Sequence, residues 1–245
     1  MNVNTYFLAS NPFIDAYVQS DFMGKFIILG LLALSVCSWV LIAYKWRMIH
    51  LAKRRSEQFY RAFDAQRSNP LGVEAKKELA PNPFFDLYAV LKKYTLELLN
   101  KNKYFSKQPE NSSPVSHLSP SDVDFIQAHL AATIAHQTKS LEKHLFILST
   151  IVSLAPFMGL LGTVWGILMT FADLQTHQAG STHNAILGGI SLALATTVLG
   201  LLDAIPALIA YNYLKNETRD FQIDMEGMSN ELLASVEIYY RKVET

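Results

Sequence analysis

The chain has 245 residues, of which 50% are hydrophobic and 17% are charged, and its formal net charge is zero. Without an excess of Lys and Arg there is no electrostatic reason to expect a nucleic-acid partner. The apolar residues are concentrated in three long runs, which excludes an ordinary soluble domain and predicts an all-α membrane protein.

The first run covers residues 26–44 and follows a short segment, residues 1–25. No Lys or Arg precedes Lys25 and no A-x-A cleavage site follows the run, so we predict a retained transmembrane helix and not a signal peptide. Residues 47–66 contain no Gly or Pro and should continue this helix. Cys37, the only cysteine, lies in the run, where we expect a buried thiol.

Residues 45–144 separate the first two runs, and we predict that this segment is helical in pieces. The stretch SNPLG at 68–72 is typical of a turn. Residues 84–102 carry apolar side chains at helical spacing and predict an amphipathic helix.

A loop rich in Ser and Pro is predicted near residues 106–121. Pro120 suits the first turn of the helix that follows, with Ser119 or Ser121 as its N-terminal cap. The sequence then contains no Gly or Pro before Pro156. We therefore predict one long helix whose end is the second span.

The second and third runs, residues 145–172 and 184–214, are joined by a short loop at 173–183, and Asp203 is the only charged residue within them. Residues 215–245 have apolar side chains at helical spacing, which predicts a helical tail. Long helices outside a bilayer need lateral partners to cover their apolar faces, so we expect an assembly and not a monomer.

Lys and Arg close to the membrane prefer the cytoplasmic side. A cluster of basic residues lies between residues 45 and 61, the loop 173–183 contains none, and the tail begins with Lys215 and Arg219. We therefore expect the N-terminus outside, residues 45–144 in the cytoplasm, and a cytoplasmic C-terminal tail.

The sequence gives no indication of a metal site, a cofactor or an enzyme. His129, His136 and His144 are spaced by seven and eight residues, which is too wide for a metal-binding pair on one helix. The spans contain no nucleophile–base pair and no paired acids.

Small and weakly polar residues form a stripe along each of the last two spans. Close packing of helices would explain such stripes, but hydroxyl groups would also suit a water-lined path. We assign Gly162 and Pro206 to the same packing surfaces. The second span presents Ser149, Ser153, Pro156, Gly159, Thr163, Gly166 and Thr170, and the third presents Gly189, Ala193, Thr196, Gly200, Asp203, Ala207 and Ala210.

A carboxylate inside a span needs an explanation, because insertion of a charged side chain costs roughly 2.5 to 3.5 kcal/mol. Asp203 lies nearer the cytoplasmic end of the third span. It is the only acid in the spans, so a proton relay within this chain alone would be short of carboxylates, and a partner would have to supply another.

Two motifs, LAPFMGLLGTVWGILMTF at 154–171 and GGISLALATTVLGLLDAIPALIAYN at 188–212, resemble the TolQ/ExbB/MotA family of proton-driven motor subunits. The short outer N-terminus and SWVLIAY at 38–44 resemble the TolQ branch more than the ExbB branch. The resemblance implies a multi-pass protein of the bacterial inner membrane, with residues 1–25 and the loop 173–183 in the periplasm.

The resemblance also implies partners. It predicts a ring of five copies around the single transmembrane helices of two TolR- or ExbD-like subunits, which bring a proton-accepting aspartate. A TolA- or TonB-like protein would then transmit force to the outer envelope. The sequence leaves open whether the chain supports envelope integrity, as TolQ does, or nutrient uptake, as ExbB does. It also leaves open whether the ion is H⁺ or Na⁺.

The family's pore threonines correspond to Thr163 and Thr197. Helical spacing alone favours Thr196, which shares a face with Asp203. The family usually has a glutamate where this chain has Leu192, and a small apolar residue where it has Asp203. Either Asp203 replaces the lost glutamate near the inner end of the pore, or it pairs with a basic residue of a neighbouring subunit. A membrane scaffold without ion flux is the alternative function.

Overall fold

The computed structural model describes residues 12–66, 69–72, 82–105, 117–176 and 182–240. These residues form six α-helices and no β-strand, and three helices are long and apolar enough to cross a membrane. The predicted all-α fold with three spanning helices is confirmed. The helices are α1 (Pro12–Gln19), α2 (Phe22–Asp64), α3 (Pro83–Phe105), α4 (Pro120–Glu142), α5 (Leu145–Thr176) and α6 (Thr182–Tyr240).

The described residues form two compact units. The membrane unit contains residues 12–45 and 144–214, and the extramembrane unit contains residues 46–143 and 215–240. Two helices, α2 and α6, contribute residues to both units. The predicted continuation of the first span is therefore confirmed as uninterrupted helix to Asp64, and the predicted helical tail to Tyr240; residues 241–245 lie outside the described residues.

The start of α4 follows from its sequence. Ser119 is the N-cap, its hydroxyl accepts the Asp122 backbone N–H, and the Asp122 carboxylate accepts the Ser119 backbone N–H at 2.9 Å. This capping box satisfies two backbone donors that the first helical turn leaves unpaired, and Pro120 occupies a position that needs no donor. Of the two caps predicted, Ser119 is confirmed; residues 106–116 of the predicted loop lie outside the described residues.

The prediction of one uninterrupted helix through the second span is wrong. The helix is interrupted at Lys143 and His144, where His144 adopts a left-handed conformation with φ of 73°. The next helix, α5, begins at Leu145. No Gly or Pro marks this break in the sequence. It coincides with the boundary between the two units.

The membrane unit is built on the pair α5 and α6, with α2 packed against one side of it. Ile27 and Leu31 of α2 meet Ala155 of α5 and Ala204 of α6 in one buried cluster. Cys37 is exposed on the surface of this unit, so the expected buried thiol is wrong.

The extramembrane unit has an aromatic and aliphatic core. Phe63 packs against Tyr88, and Phe84 stacks on Phe221 with ring centroids 5.9 Å apart. The apolar residues predicted along the tail are buried within the chain: Phe221, Met225, Met228, Leu232 and Val236. The chain itself therefore covers one face of this part of α6, whereas Ile223 and Ile238 stay exposed. The expected assembly stays a prediction.

Candidate functional site

Glycines line the contact surface between α5 and α6, which we call the α5–α6 seam. A Cβ atom at Gly200 would lie 2.6 Å from the Ala155 carbonyl oxygen, and one at Gly166 would lie 2.6 Å from the Gly189 carbonyl oxygen. Neither backbone atom can move aside as a side-chain tip could. Small residues at these positions therefore let the two backbones approach closely, as is common between helices in membranes.

The contacts along the seam run in opposite chain order. Gly166 meets Gly189, Gly162 meets Thr196, and Ala155 meets Gly200. The two helices are therefore antiparallel. Of the other residues assigned from the sequence to the stripes, Ser153 is exposed, whereas Pro156 and Pro206 are partly buried within helices α5 and α6.

Thr196 faces into this seam. Its side chain is fully buried against Gly162, and its hydroxyl donates to the Leu192 carbonyl at 2.9 Å in its own helix. Asp203 is also buried, seven residues further on, so the spacing that grouped Thr196 with Asp203 identified the buried side of α6.

Thr163 and Thr197 flank the seam on one side. Gly162 of α5 contacts Thr196 of α6, and each threonine comes one residue after a member of this pair. One residue turns a side chain by about 100° around the helix axis. Because the helices are antiparallel, these equal steps point both threonines to the same side. Both are partly exposed, and the Thr197 hydroxyl donates to the Gly159 carbonyl of α5 at 3.3 Å.

The surface around these two threonines is apolar and open. Thr163 donates its hydroxyl to the Leu160 carbonyl at 2.6 Å, within its own helix. Large exposed side chains of α5 and α6 lie on the same side: Leu160, Ile167, Ile190, Leu194 and Leu201. An open apolar surface with two hydroxyls in it suits contact with another transmembrane helix better than contact with water.

The opposite side of the pair is covered by α2. Both carboxylate oxygens of Asp21 accept the Trp165 indole N–H, at 3.0 and 3.1 Å, and one also accepts the Gly24 backbone N–H at 2.9 Å. The sequence reasoning missed Asp21, although an acid directly before an apolar helix is a recognisable N-cap signal.

Leu192 lies beside this polar contact. A Cβ atom at Gly24 would be 2.7 Å from Leu192 Cδ2 and 3.1 Å from Asp21 Oδ1, so these two side chains border the same point. Leu192 is buried against α2 and points away from the open side of the pair.

Asp203 also faces α2. Its side chain is 6% exposed, and Oδ1 accepts the Ser38 hydroxyl at 3.2 Å, whereas Oδ2 has no hydrogen-bond partner in the described part of the chain. Asp203 lies six residues after Thr197, which places it about 120° away around α6. The structure therefore does not bring Asp203 together with Thr163 and Thr197 within one subunit.

The histidines do not converge. His129 packs against Tyr94 and Phe125, with ring centroids 4.1 and 4.3 Å apart. Within the described ranges, no three His, Cys, Asp or Glu side chains are placed to hold a metal ion together.

Comparisons with known proteins agree with this architecture. Residues 101–227 match the model of the MotA/TolQ/ExbB proton channel family. The biopolymer transport protein ExbB of Aquifex aeolicus is 43% identical over 103 residues, which cover 42% of this chain and 69% of that protein.

Relatives named TolQ cover more of the chain. The Tol-Pal system protein TolQ of Haemophilus influenzae is 26% identical over 223 residues, 89% of this chain and 91% of that protein. TolQ of Pseudomonas aeruginosa is 28% identical over 199 residues, 79% of each chain. Together with three helices able to cross a membrane, these matches establish that the chain is a multi-pass membrane protein of the MotA/TolQ/ExbB proton channel family.

Proposed function

We propose that this chain is a subunit of an inner-membrane motor driven by the proton-motive force. Several copies, five by resemblance to the family, form a ring around the single-span helices of two TolR- or ExbD-like partners. Protons move inward along the interface between ring and partner. The resulting motion is transmitted to the outer envelope through a TolA- or TonB-like protein.

The observation that supports this function is the position of Thr163 and Thr197. Two hydroxyls lie together on the open side of the α5–α6 pair, opposite the side that α2 covers. Each can accept and donate a hydrogen bond without adding a charge to the membrane. A partner helix packed on this surface would enclose both hydroxyls in a narrow path.

The acid that takes up the proton is supplied by the partner. The hydroxyls of Thr163 and Thr197 do not ionise at physiological pH. Asp203, the only acid within the spans, faces α2 in the subunit. The path in this chain therefore depends on the threonines. Thr196, buried in the seam, serves close packing of α5 on α6.

We propose the orientation that the basic residues indicate. Residues 1–25 and the loop 173–183 lie in the periplasm, whereas residues 45–144 and 215–245 lie in the cytoplasm. The spans are residues 26–44, 145–172 and 184–214. A cysteine-accessibility experiment checks this: a cysteine introduced near residue 178 should react with an impermeant reagent from outside, and one near residue 220 should not.

Proton flux into vesicles tests the path. We compare the chain and its partner with the variants Thr163→Val and Thr197→Val, which keep the shape and remove the hydroxyl. Each should lower the flux by about tenfold or more, which corresponds to about 1.4 kcal/mol, the size of one hydrogen bond. Thr163→Ser and Thr197→Ser should restore most of the flux.

Thr196→Val is the matched control, because it removes a neighbouring hydroxyl that bonds only within its own helix. We expect its flux to stay near that of the unchanged chain. Equal losses in Thr196→Val and Thr197→Val would contradict the assigned path. A complex that assembles and conducts no protons would favour the alternative, a membrane scaffold.

A further inference from the structure

Asp203 is the most unusual polar group of the membrane unit that the threonine path does not use. Its carboxylate is more than nine-tenths buried between α6 and α2. Oδ1 accepts the Ser38 hydroxyl, which also donates to the Ser35 carbonyl at 2.8 Å. Oδ2 is buried and makes no hydrogen bond of good geometry among the described residues, although the Ser35 side chain also lies close enough to stabilise the carboxylate.

The neighbouring helices bring no fixed charge to this carboxylate. Residues 145–172 of α5 contain no charged side chain, and Asp203 is the only acid in residues 184–214. On α2, Cys37 points to the surface. Lys45 is buried on the same helix about 10 Å further along its axis, and it makes contacts of its own.

A buried carboxylate with one oxygen that makes no hydrogen bond is costly unless it takes up a proton or another cation. A single carboxylate with neutral hydroxyls matches one positive charge, whereas a divalent ion would need further acidic ligands. Because little of the Asp203 surface remains exposed, a Lys or Arg of a neighbouring subunit would have little room to reach it. A proton needs no added space at Oδ2, whereas Na⁺ would require α2 to shift slightly, because Oδ2 is fully enclosed.

We propose that Asp203 and Ser38 form an exchangeable site for a monovalent cation, H⁺ or Na⁺, in the seam between α2 and α6. The ion binds at Asp203 Oδ2, and the Ser38 hydroxyl holds the carboxylate in position through Oδ1. This site is separate from the threonine path, from which it lies about 120° around α6. Binding and release of the ion change the charge of Asp203, and the packing of α2 against α6 depends on this charge.

Infrared difference spectroscopy on the full chain with its partner in lipid vesicles tests this site. A proton at Asp203 gives a carboxylic C=O band that is missing from Asp203→Asn and disappears as the pH is raised. Sodium at Asp203 gives a carboxylate band that shifts when Na⁺ replaces K⁺ at constant pH. Either result supports the site and identifies its ion.

A carboxylate signal that responds neither to pH nor to Na⁺ would overturn the proposal, because it would indicate a permanent ion pair. If Asp203→Asn does not assemble, aspartate labelled with ¹³C and the variant Ser38→Ala assign the band instead. Ser38→Ala should shift it by removing the hydrogen bond to Oδ1.

Two controls separate this site from other effects. Cys37→Ala changes the adjacent, exposed residue of α2 and should leave the Asp203 band unchanged. Thr163→Val should lower the proton flux and also leave the band unchanged. Failure of the threonine path and failure of the Asp203 site are therefore distinguished by two separate measurements.

Discussion

The two units of this chain are stabilised internally by different kinds of contact. In the membrane unit, glycines bring helix backbones together, and large apolar side chains such as Phe157 and Leu194 point outward. In the extramembrane unit, aromatic side chains such as Phe63 and Phe221 are buried, and polar groups close helix ends.

We infer that the difference reflects the solvent of each unit, lipid for the membrane unit and water for the extramembrane unit. Lipid tails are as apolar as leucine, so burying an apolar side chain gives little free energy in a membrane, and close backbone contact takes its place. In water, burial of apolar area is the main source of stability. Large apolar residues therefore lie on the outside of the membrane unit and in the interior of the extramembrane unit.

Removal of a large aromatic side chain from each unit tests this contrast most strongly. Phe63 is fully buried in the extramembrane unit, and Phe63→Ala should cost about 3–5 kcal/mol of its unfolding free energy. Phe157 is 67% exposed in the membrane unit, so Phe157→Ala should cost under about 1 kcal/mol in the detergent-solubilised subunit. Denaturant titration followed by circular dichroism measures both; equal losses would contradict the contrast.

Glycine substitutions test the other half of the contrast, with a smaller expected effect. Gly200→Ala forces a Cβ atom against the Ala155 carbonyl, which should destabilise the membrane unit by about 2–3 kcal/mol. Gly227 lies in the extramembrane part of the same helix and has nothing within 4 Å of the added atom. Gly227→Ala should stabilise that unit by about 0.5–1 kcal/mol through helix propensity. Thermal unfolding distinguishes the opposite signs.

Hydropathy and periodicity were sufficient to predict the spans, the helical tail and the Ser119 cap, because these depend on residues close in sequence. The break at His144 was not predictable, since no Gly or Pro marks it and it lies at the boundary between the two units, which depends on contacts far apart in sequence. Helix α1 was not predicted either; its eight residues are too few for a clear periodic signal.

The candidate site was predicted only in part. Period 3.6 identified the small-residue stripe but could not tell the buried side of α6 from its open side, so it favoured Thr196. The position of α2 shows which side of the α5–α6 pair is covered, and that depends on contacts between residues far apart in sequence, such as Asp21 with Trp165 and Ser38 with Asp203. The resemblance to the family, and not the spacing, pointed to Thr197.

The smallest effect is expected at a helix end of the extramembrane unit. Burial alone would raise the pKa of Asp122, but hydrogen bonds from Ser119 and Asn102, with the charge of Lys101, hold that pKa below its ordinary value. A carboxyl group whose pKa is lowered by folding stabilises the protein above its unfolded pKa of about 4, and this contribution is lost as the pH falls through the folded pKa.

Asp122→Asn should therefore lower the unfolding free energy of the extramembrane unit at neutral pH, and the difference from the unchanged chain should vanish in strong acid. Because the carboxylate is only partly buried and solvent screens its charge, we expect less than about 1 kcal/mol. Ser119→Ala removes the hydroxyl half of the same capping box and should cost about 1 kcal/mol at neutral pH. Most of this cost should remain in acid, because the hydroxyl accepts the Asp122 backbone N–H at any pH, and only the part that stabilises the Asp122 charge should be lost. Thermal unfolding of both variants between acid and neutral pH separates the two contributions. A pH-independent loss in Asp122→Asn would mean that its charge adds nothing to the cap.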